Sequence, residues 1–212
     1  MKGLWRANPD GPLFPPWDIF PEFGITRFYV PLRRFNFTTG KYEPNGVEIT
    51  KSYRNDIQSH GIEYAQYSDP SWTSLIDPSQ YIGEVLKAQM DCDAISTMLD
   101  IEYHDSDFVL ECIRLYRSVK KFGPLSWTLE PFQAGWFKKS LVDAINKDVN
   151  MVVVVQNFFN NMNPAGTRNG LTPRQELLTT GIASNRVKVF YDGQLPLPLN
   201  WDGCILSEER LP

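Results

Sequence analysis

Asp105-Ser106-Asp107-Phe108-Val109-Leu110-Glu111-Cys112-Ile113-Arg114-Leu115-Tyr116-Arg117-Ser118-Val119-Lys120-Lys121-Phe122-Gly123-Pro124 is the stretch around which the chain organises. Counted at the helical period, Phe108, Val109, Cys112, Ile113, Leu115, Tyr116 and Val119 share one side. Glu111, Arg114, Arg117, Ser118 and Lys121 share the other. Aspartates open the run, where the helix dipole favours anions, and cations crowd its last turns. Gly123 supplies a left-handed exit and Pro124 forbids continuation. The pattern predicts an amphipathic helix whose apolar stripe must find partners.

Helical partners are expected on both sides of it. Ile82, Val85, Leu86 and Met90 form one stripe behind Asp77 or Ser79 as cap. Ile95, Met98 and Leu99 fall on a rotated face, so a break is expected near Asp91-Cys92-Asp93, with a second helical piece ending near Tyr103. Downstream, Thr128 can cap a helix that tolerates Pro131 in its first turn. Phe137, Leu141, Ala144 and Ile145 then mark a buried stripe running to about Lys147. Residues 78–148 thus read as a central bundle of three to four helices.

The flanks read differently. Ile25 to Thr38 is rich in β-branched and aromatic residues, Val47, Ile49 and Tyr53 alternate, and Ile62 to Tyr67 is a third short apolar run. Thr39-Gly40 and Pro44-Asn45-Gly46 are turn signals, so residues 25–67 are expected as an antiparallel β meander. Beyond the helices, residues 149–212 read as a mixed segment. Met151 to Val155 is a buried strand, Asn157 to Gly170 a loop, and Thr172-Pro173-Arg174-Gln175 a capping box whose helix Gly181 ends. Arg186 to Tyr191 is a strand, Asp192-Gly193 a turn, and Leu195-Pro196-Leu197-Pro198-Leu199 an extended Pro-rich tail. The fold expected is α+β: one domain over 25–212, preceded by an extended arm over 1–24.

The arm is apolar, unlike a flexible linker. Pro9, Pro12, Pro15, Pro16 and Pro21 interleave with Trp5, Phe14, Trp17, Phe20 and Phe23. It is expected to pack as a strap on its own core or to dock on a neighbouring subunit. The candidate interface residues are these five aromatics, Leu195, Leu197 and Leu199 of the tail, and Arg114, Arg117 and Lys121 of the cationic helix face.

Composition narrows the function classes. Hydrophobic residues make up 42% of the chain, which excludes a disordered one, and a net charge of −4 supplies no general field toward nucleic acid. Cys92, Cys112 and Cys204 are odd in number and lack CxxC spacing, so neither a disulfide framework nor a zinc knuckle is expected. No run reaches the roughly 18 apolar residues of a membrane span, and no apolar stretch follows Lys2 and Arg6 as in a signal peptide. Cytoplasmic residence, or incorporation into a particle assembled there, is the expectation.

Four constellations could carry chemistry. Asp91, Asp93, Asp100, Glu102, His104, Asp105, Asp107 and Glu111 form an acidic cluster that could gather a hard cation. Counted as a calcium loop from Asp91, however, Ile95 replaces a ligand and Ser96 the turn glycine, and helix caps with a wet face account for the aspartates. A Cys–His or Ser–His nucleophile is limited by having only His60 and His104, and Cys92 and Cys112 sit in apolar helical patterns. Pro164 to Gly170 follows a strand and precedes a helix like a phosphate cradle, but lacks its lysine and glycine spacing. Arg114, Arg117, Lys120, Lys121, Lys138 and Lys139, near Trp127, Trp136 and Phe137, could contact nucleic acid.

No catalytic, cofactor or metal residue is therefore assigned. The function expected is that of a non-enzymatic structural or assembly subunit of a larger particle, of the virion head, neck or tail kind, forming homo-oligomers and contacts with other structural proteins. The alternatives are a small metal-dependent enzyme using the acidic cluster around His104, and a nucleic-acid-contacting module.

Overall fold

A computed structural model of the chain describes residues 2–6, 23–31, 33–36, 38–39, 41–44, 51–68, 77–102, 105–159, 163–192 and 198–207. In chain order the strands are β1 (Lys2–Arg6), β2 (Arg27–Pro31), β3 (Arg33–Asn36), β4 (Lys41–Pro44), β5 (Glu63–Ser68), β6 (Thr97–Asp100), β7 (Leu125–Leu129), β8 (Met151–Gln156), β9 (Val187–Asp192) and β10 (Gly203–Ser207). The helices are α1 (Lys51–Ser59), α2 (Pro78–Cys92), α3 (Ser106–Val119), α4 (Lys139–Lys147) and α5 (Pro173–Leu178). Strands β3 and β4 form a separate antiparallel hairpin. The remaining strands close a barrel in the order β1-β10-β9-β8-β7-β6-β5-β2, every neighbouring pair parallel.

Local sequence explains the helices. Asp105 Oδ1 accepts from the amides of Asp107 at 3.0 Å and Phe108 at 2.9 Å, which starts α3. Its buried stripe is Val109, Leu110, Cys112, Ile113 and Tyr116, while Val119 lies exposed at the end. Asp77 caps α2 in the same way, and Asp93 ends it in the left-handed conformation at φ 52°. Thr172 and Gln175 form the expected capping box on α5.

Two apolar layers follow from strand alternation. Leu99, Ile101, Leu125, Trp127, Leu129, Met151, Val153, Val155 and Val187 point outward and pack with residues of α2 to α5. Phe28, Val30, Tyr64 and Ile205 do the same on the other side, beside Ile57 of α1. The residues between them, Tyr29, Ala65, Met98, Val154, Phe190 and Cys204, meet in the barrel interior. Gly3 leaves room there, since a Cβ at that position would stand 3.0 Å from the Tyr29 ring and 3.2 Å from Cys204 Sγ.

This architecture overturns the α+β expectation of a meander followed by a helical bundle. Ile25 to Tyr67 does not meander: β2 and β5 pair parallel, and α1 occupies Lys51–Ser59, where the alternation of Val47, Ile49 and Tyr53 suggests a strand. Thr97–Asp100, expected within a helical piece, is a strand, and so is Leu125–Leu129, expected as a lead-in to a helix. Both are buried along their whole length. A strand covered by helices outside and barrel contents inside shows no polar alternation, so its period is hidden. Lys2–Arg6, read as part of an arm, pairs with both β2 and β10.

Candidate functional site

All barrel strands run the same way, so their C-terminal ends gather at one mouth. Strand β6 delivers Asp100 to that mouth, and the chain continues through Ile101 to Glu102. Residues two apart on extended backbone share a face. Ile101 faces outward into the helix layer, buried, so Asp100 and Glu102 face inward with Met98 behind them. The buried Trp127 indole N–H donates to the Ile101 carbonyl at 3.0 Å. That bond fixes the peptide joining the two acidic residues.

Neighbouring strands complete the site. Thr128 lies opposite Asp100 in the β6–β7 register. From the end of β8, Gln156 Nε2 donates to Glu102 Oε1 across the intervening strand β7. Asp100 is 8% exposed, Gln156 3% and Thr128 0%. Thr128 Oγ1 and Gln156 Oε1 are both buried and have no hydrogen-bond partner. Buried polar atoms are nearly always paired, so two orphans beside a carboxylate mark a place prepared for ligand polar groups.

The next loops round the mouth carry aromatics. Phe158 is buried against Phe190, ring centroids 5.5 Å apart, and roofs the interior. Phe159 is 40% exposed and stands 6.4 Å from Phe132, in the loop after β7. Phe132 has φ 62°, a left-handed conformation that is strained for an aromatic residue. Arg168 holds it there: Nη2 donates to the Phe132 carbonyl at 2.6 Å, and the guanidinium lies 4.9 Å from the ring centre. Glu176 pairs with the same guanidinium.

The sequence-derived candidates scatter. Of the acidic cluster, Asp91 and Asp93 are exposed at the end of α2, Asp105 and Asp107 open α3, and Glu111 pairs with Arg114 at 3.6 Å on its outer face. Only Asp100 and Glu102 reach the mouth, and His104 lies outside the described residues. Among the described residues no group of three His, Cys, Asp or Glu is arranged to hold a metal. Cys92, Cys112 and Cys204 are free and buried, and burial pushes the Cys112 thiol well up. His60 is exposed at the end of α1, its Nδ1 2.9 Å from the Asp56 carbonyl. Residues 164–170 fold back on the chain instead of cradling a phosphate, with the Ala165 amide on the Asn157 carbonyl at 2.8 Å.

The cationic face dissolves similarly. Arg117 turns in to Asp148 Oδ2 at 2.5 Å and to the Lys120 and Gly123 carbonyls, while Arg114 and Lys121 stay exposed. Lys138 pairs with Asp107 and Lys139 with Asp143. Trp127, Trp136 and Phe137 pack on one another, with centroids at 5.3 Å for Trp127–Phe137 and 4.7 Å for Trp136–Phe137. Of the expected interface aromatics, Phe23 packs on the core beside β2 and Trp5 lies in β1, while Phe14, Trp17, Phe20, Leu195 and Leu197 fall outside the described residues. Leu199 is fully exposed.

No protein-family model and no curated protein sequence matches the chain. Solved structures do. A chitinase-like agglutinin from Robinia pseudoacacia superposes with TM-score 0.65 at 12% identity, covering 91% of this chain and 69% of that one. The active domain 2 of a thermostable chitinase from Pyrococcus furiosus, solved with chito-oligosaccharides, gives 0.61 at 10% identity over 90% and 71%. An endo-β-N-acetylglucosaminidase from Cordyceps militaris gives 0.60 at 10% identity over 97% and 79%. The barrel is shared with chitinases. That finding overturns the expectation of a non-enzymatic particle subunit: two of these three structures are of glycosidases, the third is a chitinase-like agglutinin, and none of them is a virion head, neck or tail component. The segment read as a docking arm begins instead with a strand of the barrel wall.

Proposed function

We propose that the chain is a glycoside hydrolase acting on β-linked N-acetylglucosaminyl chains, with Glu102 as general acid and Asp100 as its carboxylate partner. The observation that carries this is the pair of inward-facing residues Asp100 and Glu102 at the C-terminal end of the fourth barrel strand, with Gln156 bonded to Glu102. Barrels of this topology place their chemistry at that end. The chito-oligosaccharide bound by the Pyrococcus furiosus chitinase and the activity named for the Cordyceps militaris enzyme supply the substrate class.

Position restricts the mechanism. Two carboxylates that work as acid and nucleophile, or acid and base, stand on opposite sides of the scissile bond. Asp100 and Glu102 stand on one strand edge, about 7 Å apart along it, and reach a sugar from the same side. Glu102 protonates the leaving glycosidic oxygen as the bond to the anomeric carbon breaks. The electron-poor anomeric carbon is then met by the substrate's own acetamido oxygen, the substrate-assisted route known among glycosidases. Asp100 stabilises the positive charge that develops on that acetamido group. Water opens the cyclised intermediate, and Glu102 takes back a proton.

Release of reducing ends from chito-oligosaccharides tests the reading. Glu102→Gln should lower kcat by about 10²- to 10⁴-fold with an unchanged melting temperature. Wild-type protein that cleaves no β-linked N-acetylglucosaminyl chain would sink it. Tight binding without cleavage would favour a second reading, a non-hydrolytic carbohydrate binder, which the likeness to the agglutinin supports.

A further inference from the structure

We infer that Phe159, backed by Phe132 and Arg168, is a platform for the flat apolar face of a pyranose ring adjacent to the one whose bond reacts. The inference rests on the glycosidase reading and adds a residue that sets which chain length is preferred. Three observations converge on it. Phe159 keeps 40% of its surface in water although its neighbour Phe158 is buried at 3%. It follows Gln156, which touches Glu102, by three residues, or about 10 Å of extended chain. The backbone of Phe159 therefore lies within about 10 Å of that of the residue that touches the acid. Behind it lies Phe132, forced to φ 62° and clamped through its carbonyl and its ring by Arg168. Strain of this kind survives only where the surroundings impose it.

Arg168, Phe132 and Phe159 thus form a row, the two rings tilted at 46°, with the cation behind and the exposed Phe159 at its other end. Arg168 makes the platform rigid, because the Nη2 that bonds the Phe132 carbonyl is also tied to Glu176 on α5. A β-linked pyranose presents axial C–H groups on one face, and these carry the slight positive charge that an aromatic face attracts. Ordinary apolar burial adds to that attraction. A platform off the reacting centre serves long chains and is unused by short ones, and Arg168 is a positioning residue for it.

Kinetics on chito-oligosaccharides of increasing length would test this. Phe159→Ala should lower kcat/KM by about three- to ten-fold on the longest, through KM, with the loss shrinking as the chain shortens. Phe159→Trp should restore it and Phe159→Leu, equally apolar but not flat, should not. Arg168→Gln should reproduce part of the KM effect without moving kcat. A loss equal at every length, no loss, or full activity in the leucine variant would overturn the platform while leaving the glycosidase reading intact. If the wild type cleaves none of the oligosaccharides, the glycosidase reading falls. Calorimetric binding of the longest one then judges the platform. Weaker binding by Phe159→Ala than by wild type supports it, and equal or absent binding overturns it.

Discussion

At the N-terminal ends of the barrel strands, Arg27 Nη2 meets Glu63 Oε2 at 2.6 Å and Lys188 meets Asp202. At the C-terminal ends, Thr128 Oγ1 and Gln156 Oε1 lie buried with no partner beside Glu102. The ring of strands thus carries these two ion pairs on its floor and these two unpartnered polar atoms beside the carboxylates of its mouth. On the floor, burial alone would lower the Arg27 pKa, but the Tyr29 oxygen and the Glu63 carboxylate outweigh it and raise it. Burial would likewise raise that of Asp202, and the Lys188 ammonium outweighs it and holds the carboxyl low. An orphaned buried polar group costs about 1–3 kcal/mol. Thr128 and Gln156 carry that cost next to the carboxylates of the mouth, where a ligand's polar groups can offset it. The difference separates residues that hold the barrel from residues that use it.

Removing the floor's closure should have the largest effect. Gly203 opens β10 at φ 149°, and a Cβ there would stand 1.9 Å from the Val189 carbonyl oxygen. Gly203→Ala should yield insoluble protein or lower the melting temperature by more than about 10 °C, a loss of at least 3 kcal/mol. A near-normal circular-dichroism melt would show that β9 and β10 do not meet as described. At the mouth, Glu102→Gln should do the reverse: rate falls by about 10²- to 10⁴-fold and the melt is unmoved. A large drop in stability instead would make Glu102 part of the scaffold and erase the contrast.

Thr128→Val sharpens the comparison further. It replaces an orphaned hydroxyl with a methyl of similar shape. Stability should hold or rise by up to about 1 kcal/mol, while kcat/KM for chito-oligosaccharides falls several-fold. A destabilised variant with unchanged kinetics would assign Thr128 to the scaffold.

The smallest effect belongs to the barrel interior. Burial pushes the Cys204 thiol from 9.0 up to about 12. Its folded pKa thus lies above the unfolded one, so its contribution to stability is full below pH 9.0 and is lost as pH climbs toward 12. Cys204→Ala should show a shallower fall in melting temperature across that window than wild type. Tyr29, also raised by burial, keeps the fall from vanishing. Parallel curves would mean that the thiol reaches water in the folded protein.

Legibility in the sequence followed exposure. Helices α2, α3 and α5 could be read because each has a wet face and a cap: Asp77, Asp105, and Thr172 with Gln175. Strand β8 could be read because five residues in a row are apolar and mostly β-branched. Strands β6 and β7 could not, since four or five residues buried on both faces carry no period, and parallel pairing joins residues far apart in sequence. The site was half visible. Asp100 and Glu102 stood in the acidic cluster, but six neighbours obscured them, several of which are caps or solvated. The usable signal was narrower: acidic residues two apart at the end of the short apolar run Met98-Leu99. Thr128, Gln156 and Phe159 left no such trace, because their role depends on which strands become neighbours.

The pairing of β1 with both β2 and β10 has a consequence in time. Lys2 meets Gly203, so the last seam of the ring joins the two most distant strands in the described chain. Contacts of such separation form late, after the loop entropy between them has been overcome. During synthesis β1 and β9 each wait with an unpaired edge until β10 has left the ribosome. That interval is when the chain is most open to edge-to-edge association with other copies. Slowing translation after β9 should lengthen the wait, and the yield of soluble protein should fall with it.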